Sequence, residues 1–145
     1  MPIRRLGALE DLIGQINDLA ESLEDQISQA NDEISSGVDS VNEILETIDS
    51  LNERISSLSN SGQSTADLED ELNSALVDLS EYMEITTFKN SDGSTKVYSA
   101  SGQVLVDSEA HLLSTETAAD GTVSIIVNGS DITNKLHDGD TRSAG

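Results

Sequence analysis

The sequence predicts a mainly α protein with a small antiparallel β part, in which a long antiparallel helical hairpin with coiled-coil-like packing precedes β-hairpins. Three observations predict this fold class. Apolar residues recur every three or four positions through the first sixty residues, and the spacing changes to every second residue after Glu81. Short segments rich in Gly, Asn, Asp and Ser then separate brief apolar runs, which is typical of β-hairpins.

The first helix is predicted over about residues 9–58. Its apolar residues step by about 3.5 positions on average, the period of a coiled-coil seam, and no Pro interrupts them. A lone helix cannot bury such a stripe, so the pattern predicts partner helices. The members of the stripe are Leu9, Leu12, Ile16, Leu19, Leu23, Ile27, Ala30, Ile34, Val38, Val41, Leu45, Ile48, Leu51, Ile55 and Leu58.

A second, shorter helix is predicted over residues 65–82, after a turn-rich segment at 59–64 in which Ser64 or Thr65 can cap its start. A short connection between two helices predicts an antiparallel pair. Asn42 and Asn52 lie beside the stripe; a buried Asn can fix the register of packed helices, but we expect both to face solvent at its edge. The predicted helix-packing interface comprises Val41, Leu45, Ile48, Leu51, Ile55, Leu68, Leu72, Leu76 and Leu79.

The β part is predicted over residues 84–130 as one small antiparallel sheet of four or five strands. Its turns are indicated at 90–94, at Ser101-Gly102 and at Asp120-Gly121. Residues 131–145 are polar and Gly-rich, so they predict a flexible tail. The predicted domain organisation is therefore a helical part over 1–83, a β part over 84–130 and the tail.

The charge of −21, from 28 acidic and 7 basic residues, excludes classes of partner. Nucleic acids and anionic membrane surfaces require Lys and Arg, so neither is an expected partner. No apolar segment is long enough for membrane insertion or for a cleaved signal peptide. The acidity itself is consistent with a solvated surface adapted to a salty medium, or with a cation-bridged or basic partner.

No residue pattern points to catalysis, a cofactor or a small-molecule substrate, and we expect that the protein is not an enzyme. There is no Cys, and the two histidines, His111 and His137, are expected to be exposed loop residues. The segment 90–94 is similar to the first half of a calcium loop, but Ser99 stands where the bidentate Glu is needed. We therefore predict a hairpin turn there and no metal site.

One ordered set of motifs goes beyond what any acidic coiled coil would supply. It runs through Val38, Val41-Asn42, Ile48, Leu51-Asn52, Ile55, Ser61-Gly62-Gln63-Ser64, Asp67-Leu68, Leu79-Ser80, Asp92-Gly93 and Gly102-Gln103-Val104-Leu105-Val106. In this order and spacing the set resembles the flagellar hook-associated protein 1 family, which forms the hook–filament junction. The resemblance covers residues 34–106 and indicates a partial, internal segment of a family member.

The resemblance implies a structural component of the bacterial flagellum that acts by helical packing between subunits. Its expected partners are other flagellar axial subunits, or further copies of itself through its helices. The expected location is extracellular, in the flagellum, after export without a cleaved signal peptide; a short chain that is not exported would stay in the cytoplasm. The alternative is an acidic coiled-coil oligomerisation module unrelated to flagella.

Overall fold

The structure is a computed structural model that describes residues 2–133, with side chains described from residue 7 onward. Two helices, α1 (Pro2–Asn60) and α2 (Ala66–Tyr82), precede six strands in two antiparallel three-stranded sheets. The mainly helical class with a small antiparallel β part is confirmed. The chain divides into two compact units, Met1–Ser35 and Ser36–Gly145.

The first unit contains the beginning of α1, and most of its large apolar residues are open to solvent. Between Leu9 and Ile27 each large apolar residue is 49% to 61% exposed, whereas Ile34 is half-buried. We call six of these residues the apolar seam: Leu9, Leu12, Ile16, Leu19, Leu23 and Ile27. Over residues 2–133 no helix is long and apolar enough to cross a membrane.

The second unit buries the continuation of the same stripe. The buried apolar residues of its helical part are Val38, Val41, Leu45, Ile48, Leu51 and Ile55 of α1 and Leu68, Leu72, Ala75 and Leu79 of α2. They recur at helical spacing, so that each helix buries one apolar face. Eight of the nine residues predicted for the helix-packing interface are buried here, and Leu76 is half-buried. Their contribution to contacts between subunits stays a prediction.

The end of α1 is a Schellman motif centred on Gly62. The Gln63 N–H donates to the Leu58 carbonyl at 2.9 Å and the Gly62 N–H to the Ser59 carbonyl at 3.0 Å, with Gly62 at φ 76°. Of the two caps predicted for α2, the Ser64 hydroxyl accepts a long hydrogen bond of 3.4 Å from the Ala66 N–H. The Thr65 hydroxyl donates to the Glu69 carboxylate at 2.6 Å and makes no capping bond.

The first sheet contains β1 (Ile85–Lys89), β2 (Thr95–Ser99) and β3 (Val104–Val106), in the order β1-β2-β3. Its buried side chains come mainly from β2 and β3, because one face of the sheet is turned toward the core. The turns at 90–94 and at 101–102 lie where the sequence predicts them.

The second sheet contains β4 (Ser114–Thr117), β5 (Val123–Val127) and β6 (Ser130–Asp131), in the order β4-β5-β6. The prediction of one sheet with four or five strands is wrong. After β3 the chain turns back, and an isolated antiparallel β-bridge joins Val106 to Ala110. The His111 N–H also donates to the Leu105 carbonyl at 2.8 Å. The following segment therefore leaves the first sheet and begins a second.

The second sheet extends into the predicted tail. Ile132 is buried, and its N–H donates to the Ile125 carbonyl at 2.8 Å. The Thr133 hydroxyl accepts a hydrogen bond from the Ile125 N–H at 2.9 Å. β6 thus ends at Asp131, Ile132 and Thr133 remain hydrogen-bonded to β5, and the rest of the predicted tail, including His137, lies outside the described residues.

Candidate functional site: a helix that clamps two sheets

Asn52 attaches the first sheet to helix α1. Its amide donates to the Thr95 carbonyl at 2.8 Å and accepts from the Thr95 N–H at 2.9 Å. Thr95 is the first residue of β2, and both residues are buried. The amide thus pairs with a strand residue as a neighbouring strand would, and it satisfies a backbone donor and acceptor that water does not reach.

Asn42 makes the same clamp to the segment that leads into the second sheet. Its amide donates to the Leu113 carbonyl at 3.0 Å and accepts from the Leu113 N–H at 2.7 Å. Leu113 is buried and directly precedes β4. One helix therefore holds both sheets through two asparagines ten residues apart.

These two clamps correct the expectation that Asn42 and Asn52 face solvent. Asn52 is buried and Asn42 half-buried. The two asparagines lie at the edge of the apolar stripe of α1, and this edge is covered by β2 and by the segment at Leu113. The motif that carries the family resemblance, an Asn beside an apolar helical residue, thus has a physical role that helical periodicity does not reveal.

The turn between β1 and β2 packs closely against both helices. Gly93 has φ 93°, and a Cβ atom built on it would lie 3.1 Å from the Glu69 Cδ and Oε1 atoms and 3.2 Å from the Ile55 Cγ2 atom. The Glu69 carboxylate also forms an ion pair of 2.7 Å with Lys89. The hydrogen bond from Lys89 and the one from Thr65 hold the pKa of Glu69 below its ordinary value.

The aspartates of the loops anchor the turns. The Asp92 carboxylate accepts from the Ser94 hydroxyl at 2.6 Å and the Ser94 N–H at 2.9 Å, and Asp107 accepts from the Glu109 N–H at 3.1 Å. Asp120 and Asp131 make the same bonds to Thr122 and Thr133 two residues later. The hydrogen bonds from these nearby N–H and hydroxyl groups lower the pKa of each of the four aspartates.

Because its pKa is lower in the folded protein, Asp92 stabilises the fold above the pKa of the unfolded chain, and this contribution is lost as pH falls through the folded value. We expect Asp92→Asn to lower the urea midpoint at pH 6 and to have a smaller effect at pH 3. Urea unfolding at both pH values, with Asp78→Asn on the exposed face of α2 as control, measures this difference. Equal shifts at the two pH values would contradict it.

Three polar side chains connect the two sheets. The Asn128 amide donates to the Val104 carbonyl at 2.9 Å, and the Gln103 amide donates to the Ser130 hydroxyl at 3.1 Å. The ring of His111 lies between Asp107, at 3.1 Å from Nε2, and the Asn128 Oδ1 atom, at 2.9 Å from Nδ1. His111 is in a loop, as expected, but it is half-buried and bonded, not exposed.

Two of the grooves on the described surface are shallow and polar. One, of about 590 Å³, lies where α1 meets the β1–β2 turn and includes Asn52, Asn90 and Lys96. The other, of about 530 Å³, includes Glu43, Glu46, Arg54 and Glu71. No group of three or more potential ligands could hold a metal ion within residues 2–133. The geometry is that of a helix–sheet scaffold in which two asparagines of α1 bond to backbone groups of, or next to, the two sheets.

Comparison with known proteins shows similarity to one family and to solved structures. The family model described as the flagellar hook-associated protein FlgK helical domain matches residues 5–143. Among solved structures, the flagellar hook junction protein FlgK from Burkholderia pseudomallei is similar, with a TM-score of 0.61 and 25% identity, over 70% of this chain and 18% of that one. The chain therefore spans less than a fifth of that protein's length. No curated protein matches the chain.

Proposed function

Because the chain belongs to the FlgK helical-domain family of flagellar hook-associated proteins, we propose that it is a structural component of the flagellum at the hook–filament junction. It acts by helical packing between subunits. Its partners are other axial subunits of the flagellum or further copies of this chain. Its location is extracellular, after export without a cleaved signal peptide. The proposal includes no reaction, cofactor or small-molecule substrate.

The observation that carries the proposal is the exposed apolar seam of α1. About half of the surface of each of its residues is open, whereas the continuation of the same stripe from Val38 to Ile55 is buried. A monomeric protein rarely leaves a continuous apolar row in water, because burying it contributes about 25 cal/mol per Å². A helix from another subunit, or from another segment of a longer chain, would cover the seam.

The helical hairpin and the β part each have a role in the proposed assembly. We propose that α1 and α2 pack as an antiparallel, coiled-coil-like hairpin within a helical part over residues 1–83, with Val41, Leu45, Ile48, Leu51, Ile55, Leu68, Leu72, Leu76 and Leu79 as its packing interface. The β part over 84–130 acts as a spacer between subunits. The Asn42 and Asn52 clamps support this role, because they keep the sheets at a fixed position on the helix.

A segment exchange tests the proposed function. The matched segment of the Burkholderia pseudomallei FlgK is replaced by this chain, and filament attachment and swimming are scored in a flagellated host that lacks its own copy. We expect filaments with the wild-type segment and their loss with Leu19→Ser/Leu23→Ser, because the seam is then polar. Val77→Ser, which alters a similarly exposed apolar residue of α2, is the matched control and should keep filaments.

Two results would contradict the proposal. Filaments that persist with the polar seam would show that the seam is not the contact. A folded wild-type segment that gives no filaments, although the isolated chain associates through the seam in sedimentation, would favour the acidic coiled-coil module unrelated to flagella.

A further inference from the structure

The hairpin formed by β1 and β2 presents an aromatic and basic surface to solvent. Phe88 lies directly opposite Lys96, so both point to the same face, and Tyr98 follows two residues along the strand. The other face of β2 is the buried one, with Thr95 and Val97. Phe88 is 57% exposed, and its ring meets that of Tyr98 edge to face at 5.7 Å between centroids. We call Phe88, Lys96 and Tyr98 the hairpin patch.

This patch is unusual for the chain that carries it. The sequence has one Phe, two Tyr and no Trp, and two of these three aromatic residues lie here. Among the side chains that the structure describes, the basic residues are Arg54, Lys89 and Lys96. Lys89 is paired with Glu69, whereas the exposed Lys96 has no carboxylate within ion-pair distance among the described residues. The patch thus combines exposed aromatic area with an unpaired cation on an acidic protein.

The groove between α1 and α2 has the opposite chemistry. We call it the acidic groove; it is lined by Glu43, Glu46 and Arg54 of α1 and by Glu71 of α2, with Leu51 beneath them. All four charged side chains are exposed, and none forms an ion pair with another described residue. The groove therefore offers carboxylates to a cation and a guanidinium to an aromatic ring.

We propose that the hairpin patch of one copy of this chain docks into the acidic groove of a second copy. Lys96 would lie among the Glu43, Glu46 and Glu71 carboxylates, and Arg54 would stack on the Phe88 ring. The argument is complementarity: the patch has an exposed ring and an unpaired ammonium but no carboxylate, and the groove has three unpaired carboxylates and a guanidinium but no ring, so a second copy supplies what each surface lacks. This contact rests on the proposed structural function, which requires contacts between subunits. The hairpin patch and the acidic groove would be two of the surfaces that make those contacts.

The two surfaces are different, so this contact is heterologous and leaves one patch and one groove free in every pair. Repetition of such a contact gives rings or helical arrays instead of closed dimers. The patch is small, and two copies that each carry −21 repel one another at long range. We therefore expect weak association in solution that strengthens between about 10 mM and 150 mM salt, because that change shortens the Debye length from about 30 to 8 Å.

Sedimentation equilibrium of the full-length chain tests the proposal. All proteins carry Leu19→Ser/Leu23→Ser, so that association through the apolar seam does not contribute. The patch variant adds Phe88→Ser/Lys96→Glu, the groove variant adds Glu46→Lys/Glu71→Lys, and the control adds Val77→Ser. Circular dichroism establishes that each variant is folded.

We expect the patch variant and the groove variant each to associate about tenfold more weakly than their parent, and the control to be unchanged. An equimolar mixture of the two variants should regain pairing, because one supplies an intact patch and the other an intact groove. Absence of association in the parent, no change in the patch variant, or a mixture that fails to regain pairing would each overturn the proposal.

The two proposals fail in distinguishable ways. If the segment exchange gives filaments that depend on the seam and sedimentation shows no effect of the patch, only the patch–groove contact is wrong. If patch–groove pairing is observed but the segment exchange gives no filaments, the contact between copies stands and the flagellar function is wrong.

Discussion

Replacement of Asn52 by Ala is expected to lower the free energy of unfolding by about 2–5 kcal/mol. The amide is the partner of both the N–H and the carbonyl of Thr95, which is 6% exposed. Removal of the amide leaves a buried donor and a buried acceptor without partners, and each such group costs about 1–3 kcal/mol. The higher helix propensity of Ala offsets about 0.5 kcal/mol of this loss.

Urea unfolding measures the effect, and Asn73→Ala on the exposed surface of α2 is the matched control, expected to change stability by less than about 0.5 kcal/mol. Asn52→Asp refines the interpretation. It keeps one acceptor for the Thr95 N–H but places a second oxygen against the Thr95 carbonyl, so it should destabilise at least as much as Ala at pH 7. Equal stabilities of the Asn52 and Asn73 variants would show that the clamp contributes nothing.

The helices could be predicted because helical periodicity is a local property of the sequence. The stripe from Leu9 to Leu58 and the turn at 59–64 indicate two helices, and the structure has them at Pro2–Asn60 and Ala66–Tyr82. The same periodicity cannot tell which part of a stripe is covered. Val38 to Ile55 are buried and Leu9 to Ile27 are exposed, although the pattern is the same in both, because burial depends on what packs there.

The clamps and the division into two sheets could not be predicted in the same way. Asn42 and Asn52 bond to residues 71 and 43 positions away, and no local pattern encodes such distant partners. The spacing of Asp and Ser or Thr two residues apart at 92–94, 120–122 and 131–133 was a readable signal of aspartate-anchored turns. At 131–133 this spacing predicts a further turn, and therefore ordered structure beyond residue 130.

Gly93→Ala is expected to lower the free energy of unfolding by about 2–4 kcal/mol, for two separable reasons. The first is conformational: φ is 93°, and a left-handed backbone costs an L side chain about 1–2 kcal/mol. The second is steric, because the new Cβ would lie 3.1 Å from Glu69 side-chain atoms and 3.2 Å from Ile55 Cγ2. Glu69 cannot move aside freely, since Lys89 and Thr65 bind its two carboxylate oxygens.

Gly102→Ala separates the two contributions. Gly102 has a similar φ of 88°, but nothing lies within 4 Å of its added Cβ, so only the conformational cost of about 1–2 kcal/mol applies. The steric part should also diminish when Glu69→Ala is combined with Gly93→Ala, and a double-mutant cycle from urea unfolding measures that coupling. Equal losses for the Gly93 and Gly102 variants, with no coupling to Glu69, would mean that the turn does not pack tightly on the helices. A larger loss at Gly93 that Glu69→Ala relieves would identify this turn as the point where the hairpin patch is fixed to the helical core.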